Sequence, residues 1–361
     1  MRLTSEQEDL RSAVQGLLDR HSATDAESRL WQRLCTEIGV AGLAIPERFG
    51  GSGAGPLEVH VVMEELGRSL TTSPMLGSAV LSTQILLGSN DEAACARLLP
   101  GLADGTGVGA LAWTTGAGHW NPAEVACRAQ PAAGDAATGD WEISGEAHYV
   151  LDGCQASVLL VPARMPDGGI GLFELAPGQP SATCIPSTTM DDTRRLAVAR
   201  LTGAAGRRIG DRAALGPVRD AGCIALSAEQ AGAAARALEL TIAFTKDRVQ
   251  FGRPIAAFQA LQHRMADLYV RVQSARTVSY AAAAAAAHGA PDVAVRAATA
   301  KAYCSEVLLQ VSAEMLQLHG AIAMTWDHPA HRYFKRGHGA AMLLGSPAEH
   351  VARVAAAVVG S

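Results

Sequence analysis

From Arg219 onward glycine and proline become sparse, and four long stretches rich in Ala, Leu, Val, Arg and Glu follow one another at 219–247, 256–288, 292–318 and 330–356. Their breaks are Gly252-Arg253-Pro254, Gly289-Ala290-Pro291 and the loop from Gly320 to Pro329, all of them helix-stop chemistry. Four helices of such length joined by short breaks predict an up-and-down bundle. The alanine-rich runs at 231–237 and 281–287 supply small side chains that let helices approach closely.

The rest of the chain has two further textures. Near the N-terminus Thr4 is an N-cap with Gln7 three positions on, a capping-box spacing, and Leu10, Val14, Leu17 and Leu18 share one helical face. A second helical unit, Trp31 to Val40, is expected to end in Gly42, before an irregular stretch from Ile45 to Gly51. Helical periodicity returns from Pro56 to Leu70 and from Leu76 to Ala103. Between Gly107 and Gly216 many Gly, Pro, Thr and Asp residues separate short apolar runs, among them Gly109 to Trp113, Trp141 to Ser144, Ser157 to Pro162 and Gly169 to Leu175. Runs of that kind predict an antiparallel β domain. The expected fold is therefore α+β, with an N-terminal helical domain (1–106), a middle β domain (107–217) and a C-terminal four-helix bundle (218–361).

Composition narrows the function classes. With 30 Lys and Arg against 35 Asp and Glu the formal charge is −5, and no basic cluster stands out, which argues against nucleic acid as a partner. A 48 % apolar share with 18 % charged residues excludes wholesale disorder. The longest uninterrupted apolar run, 281–287, is far short of the roughly 18 to 20 residues of a membrane span, so no membrane partner is expected. The opening MRLTSEQEDL has no apolar core of a secretory signal, so a cytoplasmic location is expected. Seven scattered cysteines without a C-x-x-C pair predict buried reduced thiols, neither a disulfide framework nor a metal site.

At Arg248-Val249-Gln250-Phe251-Gly252-Arg253-Pro254-Ile255, with Phe258-Gln259, Gln262-His263 and Met265-Ala266-Asp267, the chain resembles the signature of flavin-dependent acyl-CoA dehydrogenases. A second block, from Gln317-Leu318-His319-Gly320 to Trp326, is similar to that family's Q-x-x-G-G-x-G segment, and Trp31 with Ile45 to Gly53 resembles its first domain. The resemblance covers nearly all residues from 3 to 355. It implies FAD held between subunits and oxidation of the Cα–Cβ bond of an acyl-CoA thioester. A carboxylate removes the α-proton, the β-hydrogen leaves as hydride to the flavin, and an electron-transfer flavoprotein takes the electrons.

The carboxylate is where this sequence departs. In the resembling family it is a Glu of a Y-E-G-T segment, and the matching residue is Leu344, in Leu343-Leu344-Gly345-Ser346. Some members carry the base on the helix before R-x-x-F-G, and that position is Gly222. In the β domain little of the resembling family's T-E-P and G-S-D elements survives in Trp113 to Pro122, and the threonine of its W-I-T or F-I-T segment is absent from Tyr149-Val150-Leu151. By contrast, the set that the family's dimer mate contributes to the nucleotide end of FAD is kept, namely Arg248, Gln250, Phe251, Gln259, Gln317 and Gly320. An arginine suits that task because its planar fork holds two phosphate oxygens at once.

The pattern implies a base-less subunit of a heteromeric acyl-CoA dehydrogenase, an α2β2 heterotetramer whose catalytic carboxylate lies on a homologous chain. Heteromeric members of this kind are associated with bulky substrates, including steroid side-chain CoA thioesters. Two alternatives remain at this point: an FAD-free scaffold or regulatory homologue, and an active homotetramer using a displaced base, His338 or Asp220. The other histidines, His319 and His331, read as structural, and Glu229 and Glu239 as solvated helix residues.

Overall fold

The computed structural model describes residues 3–20, 27–132, 140–176 and 178–360. Helix α1 (Ser5–Asp19) starts on its capping box: Thr4 Oγ1 accepts from the Gln7 N–H at 3.2 Å, and Gln7 Oε1 from the Thr4 N–H at 3.1 Å. Val14 and Leu17 turn into the core, with Leu10 and Leu18 packed at its edge. Helix α2 (Glu27–Arg33) widens into a π-helical turn, Leu34–Ile38, and stops at Gly39 rather than Gly42. Gly39 adopts φ +81°, and its N–H caps the Leu34 and Cys35 carbonyls, a role glycine fills without steric cost. After α3 (Pro56–Arg68), the stretch expected as one helix from Leu76 to Ala103 is three pieces: a π-helix at Met75–Ser82, α4 (Thr83–Gly88) and α5 (Glu92–Ala103). Left-handed Asn90 makes the second cut, and Asp91 caps α5 through the Ala94 N–H at 2.9 Å.

The middle region is one seven-stranded sheet made of β1 (Gly109–Leu111), β2 (Cys127–Pro131), β3 (Asp140–Leu151), β4 (Val158–Arg164), β5 (Ile170–Leu175), β6 (Ala182–Pro186) and β7 (Leu196–Asp211). The order β4-β2-β3-β7-β5 closes on itself through the β4–β5 pairing, giving a small barrel in which β1 shares the edge of β4 with β2 and β6 shares the edge of β7 with β5. Most pairings are antiparallel, as expected, but β1–β4 and β2–β4 are parallel. Side chains such as Ile143, Val161 and Phe173 are fully buried in its core.

Helices α6 (Leu215–Asp247), α7 (Gln259–Ala287) and α8 (Val293–His319) form the bundle as the breaks predict. Gly67 on α3 and Gly232 on α6 let two helices nearly touch, since a Cβ on either would lie 2.0 Å from a backbone oxygen of the other helix. The segment that includes α8, Val293–Met324, is long and apolar enough to cross a membrane, a property missed by counting uninterrupted apolar runs. Here α8 is a bundle helix, with Ala297, Cys304, Leu308 and Met315 in the core.

The fourth predicted helix is two, α9 (Ala330–Met342) and α10 (Pro347–Val359). At the break Leu344 takes φ +63° and Gly345 φ +105°, and Ser346 caps α10 by accepting from the Glu349 N–H at 3.3 Å. A left-handed leucine costs about 1–2 kcal/mol and needs support. Lys301, wholly buried on α8, supplies it by donating to the carbonyls of Ala341 (3.0 Å) and Gly345 (3.1 Å) and to Ser305 Oγ (3.1 Å). His350 Nε2 meets the Leu344 carbonyl at 3.0 Å, while its Nδ1 lies 3.2 Å from the Arg353 guanidinium. The carbonyl accepts and the guanidinium donates, so the neutral Nε2–H tautomer fits both.

A charged cluster ties the three regions together. Arg336 (α9) is 2 % exposed, donates to the Thr71 carbonyl at 3.2 Å, and lies 3.8 Å from both Asp191 Oδ2 and Glu229 Oε1. Arg194 pairs with the same Glu229. Glu229 is therefore no solvated residue: it faces the β domain from α6, buried between two arginines, whereas Glu239 sits nearer the surface with Arg68 and Arg236. Burial pushes the Asp152 carboxyl beside this cluster up to about 7, against the pull of Arg194 and Arg336. The thiols also correct the sequence reading in part, because Cys154 is exposed and Cys184 half-buried while the other five are buried.

Removing one partner from such a buried cluster leaves charge without compensation, so Arg336→Leu should destabilise the chain by about 3–5 kcal/mol in urea unfolding. The Leu344 loop gives a pH signature. Burial depresses His350 from 6.5 to about 3 and Lys301 from 10.5 to about 8. In both windows the unfolded chain binds more protons, so stability rises with pH from about 3 to 6.5 through His350 and from 8 to 10.5 through Lys301. Between pH 6.5 and 4.5 the His350 contribution amounts to roughly 2 kcal/mol. The urea midpoint should fall over that interval, and His350→Gln should flatten the slope.

Candidate functional site

Helix α6 places the two sets of residues that the sequence singles out at its two ends. At its C-terminal end the chain turns through a minimal hairpin, β8 (Val249–Gln250) and β9 (Arg253–Pro254). Phe251 and Gly252, at φ +53° and +78°, are its central residues, the handedness of a type I′ turn. The turn pushes Phe251 out until its side chain is 92 % exposed. Arg248 and Gln250 beside it are exposed, and Arg248 makes no ion pair among the described residues. Gln259 opens α7 and is exposed as well.

The same end of the bundle carries the second block. Phe244, one turn before Arg248, stacks on His319 at 4.2 Å, which holds the end of α6 against the end of α8. His319 is fixed by its own contact, Nδ1 to the Met315 carbonyl at 2.8 Å. Exposed Gln317 and Gly320 flank it, and Gly320, at φ +67°, has open space where a Cβ would stand. The Gln250 amide donates to the Val249 carbonyl at 2.8 Å, which leaves the Arg248 guanidinium, the amides of Gln259 and Gln317 and an accessible glycine backbone as a donor set whose chemistry fits a diphosphate or nucleotide.

The positions where the resemblance puts the base lie near the other end. Gly222 and Leu344, 122 residues apart in sequence, are packed together: a Cβ on Gly222 would lie 2.8 Å from Leu344 Cδ1 and 2.6 Å from Leu81 Cδ2. Leu344 is 1 % exposed, so hydrocarbon fills the point where the two base positions converge. Asp220 is held by Arg353 at 2.6 Å, and His338 sits on the exposed side of α9 with Nδ1 on the Phe334 carbonyl. His331 stacks edge-on against Trp326.

Between the β domain and α9–α10 lies a cleft of about 510 Å³, walled by Trp120, Tyr149, Met190, Met342 and Leu343. Leu151, buried, stands where the resembling family has its threonine, and two residues before it Tyr149, at φ +55°, donates its hydroxyl to the Gly116 carbonyl at 3.2 Å. Thr114 Oγ1 is likewise spent on the His119 carbonyl at 2.8 Å. His119 and Glu349 pair across the mouth at 2.9 Å, and the contact with Glu349 holds the imidazole above its usual range. The donor set a flavin would need is thus present at the hairpin end and spent at the cleft end.

Several residues of this arrangement escaped the sequence reading: Lys301, Glu349, His350, Arg353 and the pair Asp191 and Arg194. Ser346-Pro347-Ala348-Glu349 is a capping box readable in the sequence. Lys301, in the run Ala297 to Ala302, is a lone cation on an apolar face, and that was the available signal.

Comparison with known proteins agrees with this geometry. Residues 4–106 match the acyl-CoA dehydrogenase N-terminal domain and residues 220–359 its C-terminal domain. Acyl-CoA dehydrogenase IpdE2 of Mycolicibacterium smegmatis is 36 % identical over 99 % of this chain and 100 % of its own length. Among solved structures, the Tcur3481-Tcur3483 steroid ACAD is 29 % identical with a TM-score of 0.87 over 98 % of both chains. The ChsE4-ChsE5 complex from Mycobacterium tuberculosis is 25 % identical with a TM-score of 0.87, over 100 % of this chain and 99 % of the other. With helical N- and C-terminal regions about a β barrel, and both terminal domains matched, the chain belongs to the acyl-CoA dehydrogenase family.

Proposed function

We propose that this chain is the base-less subunit of a heteromeric, FAD-dependent acyl-CoA dehydrogenase. The observation that carries the reading is Leu344 packed on Gly222, which puts hydrocarbon at both positions where the resembling family has its base, and the separation along α6 supports a site shared between chains. Gly222 and Arg248 are 26 positions apart on one continuous helix, about 39 Å at 1.5 Å per residue. That is further than one flavin dinucleotide reaches, so the hairpin and the base positions of one molecule belong to different cofactor sites. The hairpin then serves a site completed by another chain.

FAD, when bound, accepts the hydride from the β-carbon of the thioester. Arg248 would hold its diphosphate, and Gln250, Phe251, Gln317 and Gly320 would line the nucleotide. Gln259, at the start of α7, would complete that set. The α-proton needs a basic oxygen or nitrogen at hydrogen-bond reach, and a leucine packed on a glycine offers none. A homologous partner chain therefore supplies the carboxylate, in an α2β2 assembly that hands electrons to an electron-transfer flavoprotein. The two-chain names of the steroid ACAD and the ChsE4-ChsE5 complex support a heteromer, and the former supports a steroid-derived acyl thioester, such as a bulky side-chain CoA ester, as the substrate we propose. The engagement of Asp220 with Arg353 and the exposed position of His338 speak against a displaced base in a homotetramer.

Co-expression with the partner from the native host should give a yellow complex with one flavin per two chains, whereas the chain purified alone turns over no acyl-CoA. Arg248→Ala in this chain should lower flavin occupancy of the complex several-fold, with partial recovery in Arg248→Lys. Full occupancy in Arg248→Ala, or turnover by the lone chain that His338→Ala abolishes, would sink the reading.

A further inference from the structure

A second cavity lies on the face of α6 turned away from Leu344. Its volume is about 660 Å³, within the roughly 300–1,000 Å³ of small-molecule sites, and larger than the cleft beside the barrel. At 100° per residue, Ala221 and Ala225 point into it while Gly222 looks onto Leu344, so α6 is the wall between cavity and base positions. It is lined by the loop at Ala44 and Ala54 with the start of α3, by the π-helix at Ala79 with Gln84 of α4, by α6, and by the α7–α8 turn with Ala294 at the start of α8.

Two features define what fits. Nearly half of the lining is Ala or Gly and most of the rest is Val, Ile or Pro, so few side chains are long enough to swing inward and close on a thin chain. A flexible alkyl group would leave voids and lose its conformational freedom, whereas a broad, pre-rigidified ring framework fills the width with little entropy lost. The polar groups are few. Gln84 lines the cavity half-buried and makes no hydrogen bond among the described residues. The contacts of Asp220 with Arg353 and Arg219 both fall on Oδ1, leaving Oδ2 as an acceptor. An amide and a carboxylate oxygen match a hydroxyl, which donates to one and accepts from the other.

We infer that this cavity is a binding site for a neutral, rigid polycyclic alcohol, separate from the flavin-linked surfaces. The inference does not depend on which subunit carries the base, since the cavity is built wholly from this chain.

Equilibrium dialysis of the full chain, alone and in its native complex, tests it with androstanol, the parent hydrocarbon androstane, and dodecanol as the flexible comparison. Androstanol should bind at least about tenfold more tightly than dodecanol. Ala221→Phe and Ala294→Phe fill the cavity from opposite walls and should each weaken androstanol about tenfold or more. The second variant decides the matter if the first does not fold, with circular dichroism as the check. Gln84→Leu should weaken androstanol several-fold and leave androstane unchanged. No androstanol binding up to its solubility limit, equal affinity for dodecanol, indifference to both filling variants, or a partner side chain occupying the cavity in the complex would each overturn the assignment. None of these outcomes touches flavin occupancy, so failure here is distinguishable from failure of the subunit reading.

Discussion

An uninterrupted helix of 33 residues, α6, fixes the distances on which everything else in this chain depends. A helix packed on three sides neither bends nor shortens to bring its ends together, so groups carried at its two termini act in separate places. Its N-terminal third meets Leu344, Leu81 and the barrel, and its last turn stacks Phe244 on His319. Glycine makes the packing possible, because α3 and α6 cross where Gly67 and Gly232 expose bare backbone to each other. Larger residues there would push the N-terminal helices outward and open the cleft between barrel and bundle.

The loop at Leu344 shows how much structure surrounds a residue that performs no acid–base chemistry. A buried ammonium, a neutral imidazole and a capping box hold four residues in a conformation that leucine does not favour by itself. Such an investment in geometry is understandable if the fold was built for a side chain that had to be aimed. In this chain the aimed side chain is hydrocarbon, and its methyl groups rest on Gly222 and Leu81.

Much of this was legible in the residues. The Gly and Pro breaks at 252–254 and 289–291 mark the ends of α6 and α7 because no helix passes them, and the capping box at Thr4 fixes the first turn. The change of texture near Gly107 marks the barrel, although its parallel pairings depend on closure, which no local pattern encodes. The split of the last helix was hidden because the left-handed residue is a leucine, held by a lysine 43 positions away. Glu229 was misplaced for a similar reason. Periodicity assigns it to a helix, but only the docking of the barrel against that face makes it a buried partner of Arg194 and Arg336. For the candidate site, the hairpin residues could be read from their motif, and the convergence of Gly222 with Leu344 could not.

The fully solvated ring of Phe251 has a bearing on how cells must handle this polypeptide. Together with Val249, Ile322, Met324 and Trp326 it leaves large apolar side chains unshielded on a free molecule. Patches of that sort drive self-association and attract quality-control machinery when nothing shields them. Synthesis of the chain in excess over whatever shields it would therefore be wasteful, and matched production of the two would govern how much of it survives.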